Sequence, residues 1–262
     1  MALPKIALVT GASSGIGRAF ARLHAQKGGD LIVTARRNGA LETLKAELEA
    51  AHNVTVTVIP SDLAAPGGAD ALYAAVKDAA LRVDILINNA GFGGHGAFVE
   101  RALEDDLSMI DLNVKALVAL CHRFGADMVA QGGGRILNVS STAAHMPGPL
   151  QATYFATKAF VTSFSKALDE ELRTKGVTVT ALEPGYVATE FAARADLEGT
   201  ALIKGGGRTA DAAAKIGYDA MERGQLSVIN EGLLAFQLNW VLPLLPDRLK
   251  LKLVRRMQEK AS

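Results

Sequence analysis

The sequence predicts an α/β fold: one parallel, doubly wound sheet of about seven strands with helices on both faces, in three α/β/α layers. Three observations predict it. Short runs rich in Val, Ile and Leu recur along the 262 residues with little strict alternation, as strands covered on both faces do. Longer stretches with an apolar residue every three or four positions lie between them, the period of an amphipathic helix. Strand and helix alternate about six times, which calls for right-handed crossovers and parallel neighbours.

The first run, "KIALVT" (5–10), leads into "TGASSGIG" (10–17) and a helical "RAFARLHAQKG". "DLIVTAR" (30–36), a helix over 39–51, "VTVTVIP" (54–60) and a helix over 69–80 continue the rhythm. "VDILINN" (83–89) precedes the longest helical stretch, 103–130, where Leu103, Leu107, Ile110, Val114, Leu117, Cys121, Phe124 and Met128 form one stripe. "GRILNVS" (134–140), a helix over 155–175 and "VTVTALE" (177–183) follow, with "LSVIN" (226–230) as the last strand. Residues 190–216 are glycine-rich and weakly periodic, and residues 231–262 extend beyond the last strand. No Pro/Gly/Ser linker divides two composition regimes, so residues 1–262 are expected to form a single domain.

Composition excludes several classes of function. With 28 basic and 27 acidic residues the net charge is +1, and no whole-chain signal for nucleic acid or another polyanion exists. Cys121 is the single cysteine, which forbids an intrachain disulfide and suits a reducing compartment. No leader precedes the first strand, and no run of about 18 uncharged apolar residues could span a bilayer, so a cytoplasmic protein is expected. His95 and His145 lack companions for a metal site, and no metal is expected.

The chemistry sits in four places. Gly11, Gly15 and Gly17 turn the chain sharply and present bare backbone at a helix N-terminus, which favours a phosphate. Ser13 and Ser14 could cap that helix or touch the phosphate. The second strand ends in Ala35, Arg36 and Arg37 with no carboxylate, where an acidic residue would hold a ribose 2′-hydroxyl and an arginine suits a 2′-phosphate. NADP(H) is therefore expected over NAD(H), the alternative being two solvated arginines at the start of a loop. Ser141 stands at the C-terminal end of a strand, the edge where doubly wound sheets place ligands. Tyr154 and Lys158 are four apart on one helix face. Asn113 lies among apolar neighbours mid-helix, an unfavourable place for that residue. A solvated tyrosine–lysine pair, a serine turn and a satisfied core amide would explain each feature singly. Their convergence in order on one sheet edge favours catalysis.

In these residues the sequence resembles the short-chain dehydrogenase/reductase family, NADP(H)-preferring, and the likeness covers nearly the whole chain. "TGASSGIG", Asp62 in "SDLA", "NNAG" (88–91), Asn113, Ser141, "YFATK" (154–158) and "PGYVAT" (184–189) carry it. The resemblance implies a Rossmann-type fold. It implies that Tyr154 exchanges a proton with the substrate oxygen and that Lys158 lowers the tyrosine's pKa and holds the nicotinamide ribose. Ser141 would orient the substrate oxygen, and Asn113 would hold a water in a relay to Lys158. The expected cofactor contacts are Gly11, Ser13, Ser14, Gly15, Ile16 and Gly17 in the first turn, then Arg36, Arg37, Asp62 and Leu63. Asn89, Ala90 and Gly91 would meet the ribose side, with Tyr154 and Lys158, while Pro184, Gly185, Val187 and Thr189 hold the nicotinamide amide. The helix over 103–130 and the Tyr154 helix form the usual subunit bundle of that family, so a homodimer or homotetramer is implied.

Substrate contacts are expected from Phe92, His95, Met146, Leu150, Tyr186 and Phe191, with residues 190–216 as a lid hinged at Gly205 to Gly207. This lining is largely apolar and shows no arginine cluster, which points to a lipophilic or aromatic ketone or aldehyde. Residues 233–246 are strongly apolar, and 247–260 hold six basic against two acidic residues, a local net of +4. Such a tail can lie on an anionic membrane surface, or pack on its own body or a neighbouring subunit. The expected function is NADPH-dependent reduction of a carbonyl compound, reversible as alcohol oxidation. The alternatives are a non-catalytic NADP-binding regulator and a membrane-peripheral reductase of 3-oxoacyl or steroid-like lipids.

Overall fold

The computed structural model describes residues 5–204 and 206–260. Seven strands form one parallel sheet in the order β3-β2-β1-β4-β5-β6-β7. They are β1 Ala7–Thr10, β2 Leu31–Thr34, β3 Val56–Val58, β4 Ile85–Asn88, β5 Gly134–Val139, β6 Val177–Glu183 and β7 Ser227–Ile229. The register sets Ala7 beside both Leu31 and Ile85, so β1 is an interior strand and the strand order reverses between β1 and β4. A crevice opens at such a switch point, outside the carboxyl ends of the strands.

Alternation within the strands feeds two cores. Ala7, Val9, Leu31, Val33, Ile85 and Ile87 point to one face, with Phe20, Leu41 and Leu44 of the helices α1 Gly15–Gln26 and α2 Asn38–Ala51. Leu8, Ile32, Leu86, Ile136 and Val179 point to the other, under α3 Gly68–Asp78, α5 Leu117–Ala130 and α6 Ala152–Arg173. Both faces of each inner strand are thus removed from water, which is why these strands read as continuous apolar runs. Arg18 and Arg22 of α1 clamp Glu47 of α2 at 2.7 and 2.6 Å and hold its carboxyl down to about 2.

The long helix expected over 103–130 is interrupted. It runs as α4 Leu103–Ile110, a π turn over Asp111–Ala116, then α5. Its stripe also divides: Leu117, Cys121, Phe124 and Met128 are buried, whereas Leu103 and Leu107 face outward. Cys121 lies between Asn88, whose Nδ2 donates to Sγ at 3.2 Å, and Asn138, and burial pushes its thiol up to about 12.

The irregular stretch after β6 holds two short helices, α7 Phe191–Arg194 and α8 Ala201–Lys204. It ends earlier than the sequence suggests. Thr209 caps α9 Ala210–Glu222 by accepting from the Ala212 amide, and α9 packs on α1, so residues 210–216 belong to the sheet's helical layer and not to a lid. Of the expected hinge, Gly205 lies outside the described residues and Gly206 has φ +71°.

The tail continues from β7 as α10 Gly232–Phe236, a π turn over Gln237–Val241, a 3-10 turn over Leu242–Leu244, and α11 Asp247–Gln258. It folds back on its own body. Val254 joins Met109, Ala143, Tyr154 and Phe155 in one buried cluster, and Lys260 pairs with Asp196 at 2.6 Å. Among the described residues no helix is long and apolar enough to cross a membrane, and no cluster of His, Cys, Asp and Glu could hold a metal.

Candidate active site

The turn from β1 into α1 is built for close approach. Gly11 and Gly15 have φ of +66° and +54°, a region where side chains are strained. A Cβ on Gly17 would come within 2.4 Å of the Gly11 carbonyl oxygen and 2.5 Å of Asn89 Nδ2. Asn89 bridges the crevice, donating from Nδ2 to the Thr10 carbonyl at 2.9 Å, while Thr10 Oγ1 accepts from the Asn89 and Ala90 amides. Ser14, at the N-cap of α1, makes no side-chain cap, so that question resolves against capping and the first-turn amides stay open. Ser13 Oγ accepts from Arg37, which also pairs with Glu190 at 3.1 Å. Asp62 Oδ1 accepts from the Ala64 amide.

Beyond the carboxyl ends of β4, β5 and β6 the reactive groups converge. Ser141 Oγ accepts from the Ala143 amide at 3.1 Å and reaches the Pro184 carbonyl at 3.4 Å. Tyr154 and Lys158, one turn apart on α6, are 9% and 6% exposed. Lys158 Nζ donates to the Val139 carbonyl at 2.9 Å and lies 5.7 Å from the centre of the tyrosine ring. Burial pushes the phenol up to about 12, an effect the Ser141 hydrogen bond opposes, and burial draws the ammonium down to about 8. In the free protein, then, desolvation outweighs the help that Lys158 was expected to give the tyrosine.

Asn113 is buried in the same region. Within the π turn, its Oδ1 accepts from the Phe92 amide at 3.1 Å and its Nδ2 donates to the Phe92 carbonyl and Thr157 Oγ1. The side chain ties the loop after β4 to α6 and does not face the cavity. A π turn re-aims one residue of a helix, a device common at functional sites.

One cavity of about 1030 Å³ joins these parts, from Arg36 and Asp62 at one end to Tyr154 and Met257 at the other. Every cofactor and pocket residue expected from the sequence lines it except Gly17, whose hydrogen atom is covered by backbone, and Leu150. Leu150 has φ +69° and uses its carbonyl to accept from the Gly96 amide. The sequence shows no arginine cluster here, yet two single arginines reach the wall. Arg101 lines the cavity, neutralised by Asp106 at 3.2 Å, and the Arg194 guanidinium sits 5.2 Å above the Phe92 ring. Both histidines have hydrogen-bond partners: His95 Nε2 is 2.7 Å from the Gln258 carbonyl and His145 Nε2 is 2.7 Å from Glu183.

A family model for short chain dehydrogenases matches residues 5–198. The chain belongs to the short chain dehydrogenase family. Serine 3-dehydrogenase of Agrobacterium fabrum is 39% identical over 186 residues, 70% of this chain and 72% of the relative. A short-chain dehydrogenase from Sphingobium yanoikuyae, solved in complex with NADPH, is 31% identical, with TM-score 0.83 over 98% of this chain and 99% of the other. The bulky-bulky ketone specific alcohol dehydrogenase of Comamonas testosteroni is 30% identical, with TM-score 0.77 over 87% and 86% of the two chains. This short-chain dehydrogenase is thus an oxidoreductase that acts on CH–OH groups with a nicotinamide cofactor.

The residues present fit that cofactor. The uncapped start of α1 leaves donors for a diphosphate, and the strained glycines keep side chains out of its way. What sequence reasoning missed in this dehydrogenase is the share of the tail. Val254, Met257 and Gln258 line the cavity, with Gln258 Oε1 accepting from Gln151 Nε2 at 2.5 Å. Partners 107 residues apart leave no periodic or spacing signal that could have found them.

Proposed function

We propose that this dehydrogenase reduces lipophilic or aromatic ketones and aldehydes with NADPH, and runs in reverse as an alcohol dehydrogenase. The observation that carries the reading is that Ser141, Tyr154 and Lys158 line the same cavity as Arg36. Apolar walls from Phe92, Met146, Phe191, Leu238 and Val254 support a lipophilic substrate. The NADPH complex of one relative and the ketone specificity of another support the cofactor and the reaction class.

Bound NADPH would supply the hydride. The open amides of α1 would hold its diphosphate, Arg36 would pair with the 2′-phosphate, Asp62 would meet the adenine, and Pro184 to Thr189 would hold the nicotinamide amide. Negative charge develops on the substrate oxygen, so a donor must already point there. Tyr154 Oη delivers that proton, and Ser141 Oγ orients the oxygen beside it. The Lys158 ammonium stabilises the phenolate left behind, would hold the ribose, and returns a proton to Tyr154, the amine so formed being reprotonated from solvent. Asn113 keeps the Phe92 loop docked against α6 so that this geometry persists.

The α4–α6 face carries Leu103, Leu107 and Phe160, exposed at 59, 50 and 40%, which supports a homodimer or homotetramer through it. The decisive assay follows NADPH absorbance across a panel of bulky and aromatic ketones. Tyr154→Phe should lose roughly 10²–10⁴-fold in rate while NADPH binding, read by fluorescence, is retained. Wild type and variant equally inert across the panel would turn the reading toward an NADP-binding regulator.

A further inference from the structure

The tail presents a face that nothing among the described residues covers. From Gly232 to Leu244 the backbone stays helical through α10 and the two turns after it, without one charged residue. Leu233, Phe236, Trp240 and Leu244 recur at spacings of three and four, on one face, and are 74, 58, 70 and 83% exposed. Leu234 and Leu238 point the other way, into the cavity wall.

The next helix repeats the arrangement with charge added. Val254 and Gln258 face inward on α11 and are buried. Leu249, Leu253 and Met257, four apart, are 44, 42 and 41% exposed beside them. Arg248, Lys252 and Arg256, also four apart, form the next row, fully on the surface. Lys250, Arg255 and Lys260 have carboxylate partners at 2.9, 3.0 and 2.6 Å. Among the described residues Arg248, Lys252 and Arg256 have none. The result is an uncharged Leu/Phe/Trp stripe bordered by a row of uncompensated positive charge.

We propose that this face docks the protein on an anionic lipid membrane surface. Apolar side chains on such a helix sink into the boundary between headgroups and acyl chains, tryptophan prefers that depth, and cations meet lipid phosphates. Charge decides between a bilayer and a second copy of the chain. A two-fold contact is self-complementary and sets a face against itself, so two unneutralised rows of Arg and Lys would be brought together. Anionic headgroups neutralise the same row. Exposed apolar patches of this kind, rimmed by polar residues, mark sites of contact.

Trp240 is the only tryptophan in the sequence, so the fluorescence of the unmodified protein reads the stripe directly. Vesicles of phosphatidylcholine alone and of phosphatidylcholine with phosphatidylglycerol are the two probes. The expected result is flotation with the anionic vesicles only, a blue shift of the Trp240 emission, and release by high salt. Each of Arg248→Gln, Lys252→Gln and Arg256→Gln should lower the partition coefficient roughly fivefold, and Leu244→Glu should abolish flotation. All four positions are on the surface, so unchanged thermal unfolding certifies the fold of each variant. No flotation and no shift with either vesicle overturns the proposal, as does equal binding to neutral vesicles. Emission already blue without lipid, moving to the red on dilution, overturns it in favour of a second copy. None of these readouts requires turnover, so they stand or fall separately from the proposed reaction.

Discussion

Replacing Lys158 by methionine should leave the free protein at least as stable while removing its activity. The ammonium is buried, and its pKa falls from 10.5 to about 8 through desolvation alone. That gap corresponds to about 3 kcal/mol of folding free energy lost at pH 7, where the native state must keep a charged lysine out of water. Methionine fills a similar volume without charge, but it leaves the Val139 carbonyl without the donor it has at 2.9 Å, at a cost of about 1–3 kcal/mol. The variant should therefore be at least as stable at pH 7, by roughly 0–2 kcal/mol.

The pH dependence has a definite sign. Between pH 8 and 10.5 the unfolded wild type binds more protons at this residue than the native state, so wild-type stability rises with pH through that window. The variant has no such group, and its advantage should shrink by about 2 kcal/mol between pH 7 and 9.5. Urea unfolding of both proteins, without cofactor, at those two pH values measures the difference and cancels groups common to both. A stability gap that does not move with pH would refute burial as the cause of the lysine's low pKa. The proposed carbonyl reduction should slow at least ~10²-fold in the same variant, because the phenolate then loses the cation beside it.

Arg36→Asp should weaken NADPH roughly 10–100-fold, the worth of one charge-assisted pair, and leave NADH nearly unchanged in a fluorescence titration; equal losses would remove Arg36 from the 2′-phosphate site. Gly17→Ala places a methyl group 2.4 Å from the Gly11 carbonyl and should lower stability by ~2–4 kcal/mol. An unshifted melting temperature in that variant would show that the turn yields more easily than its packing indicates.

The sheet was readable because each strand is buried on both faces, which leaves an unbroken apolar run, and each helix between strands repeats at its own period. All seven strands lie inside the runs expected for them. The residues at the sheet's carboxyl edge were readable as an ordered set, since Ser141 ends a strand and Tyr154 and Lys158 share a helix face. Other features leave no such trace. The π turn at Asp111–Ala116 divides the apolar stripe between an outward and a buried face, but the sequence keeps its helical spacing across the turn and looks like an ordinary helix there. The helix start at Ala210 hides behind a glycine-rich run, although Thr209 is a good cap in retrospect. The tail's seat over Tyr154 depends on His95 and Gln151 meeting Gln258, contacts between distant segments that local pattern cannot encode.

Cys121 makes the core its own clock. With the thiol walled in by Asn88 and Asn138 and raised to about 12, only roughly 10⁻⁵ of it is thiolate at pH 7. An alkylating reagent therefore finds nothing to attack until β4, β5 and α5 separate, and the modification rate counts those separations. One native atom thus times the opening of the sheet without any introduced label.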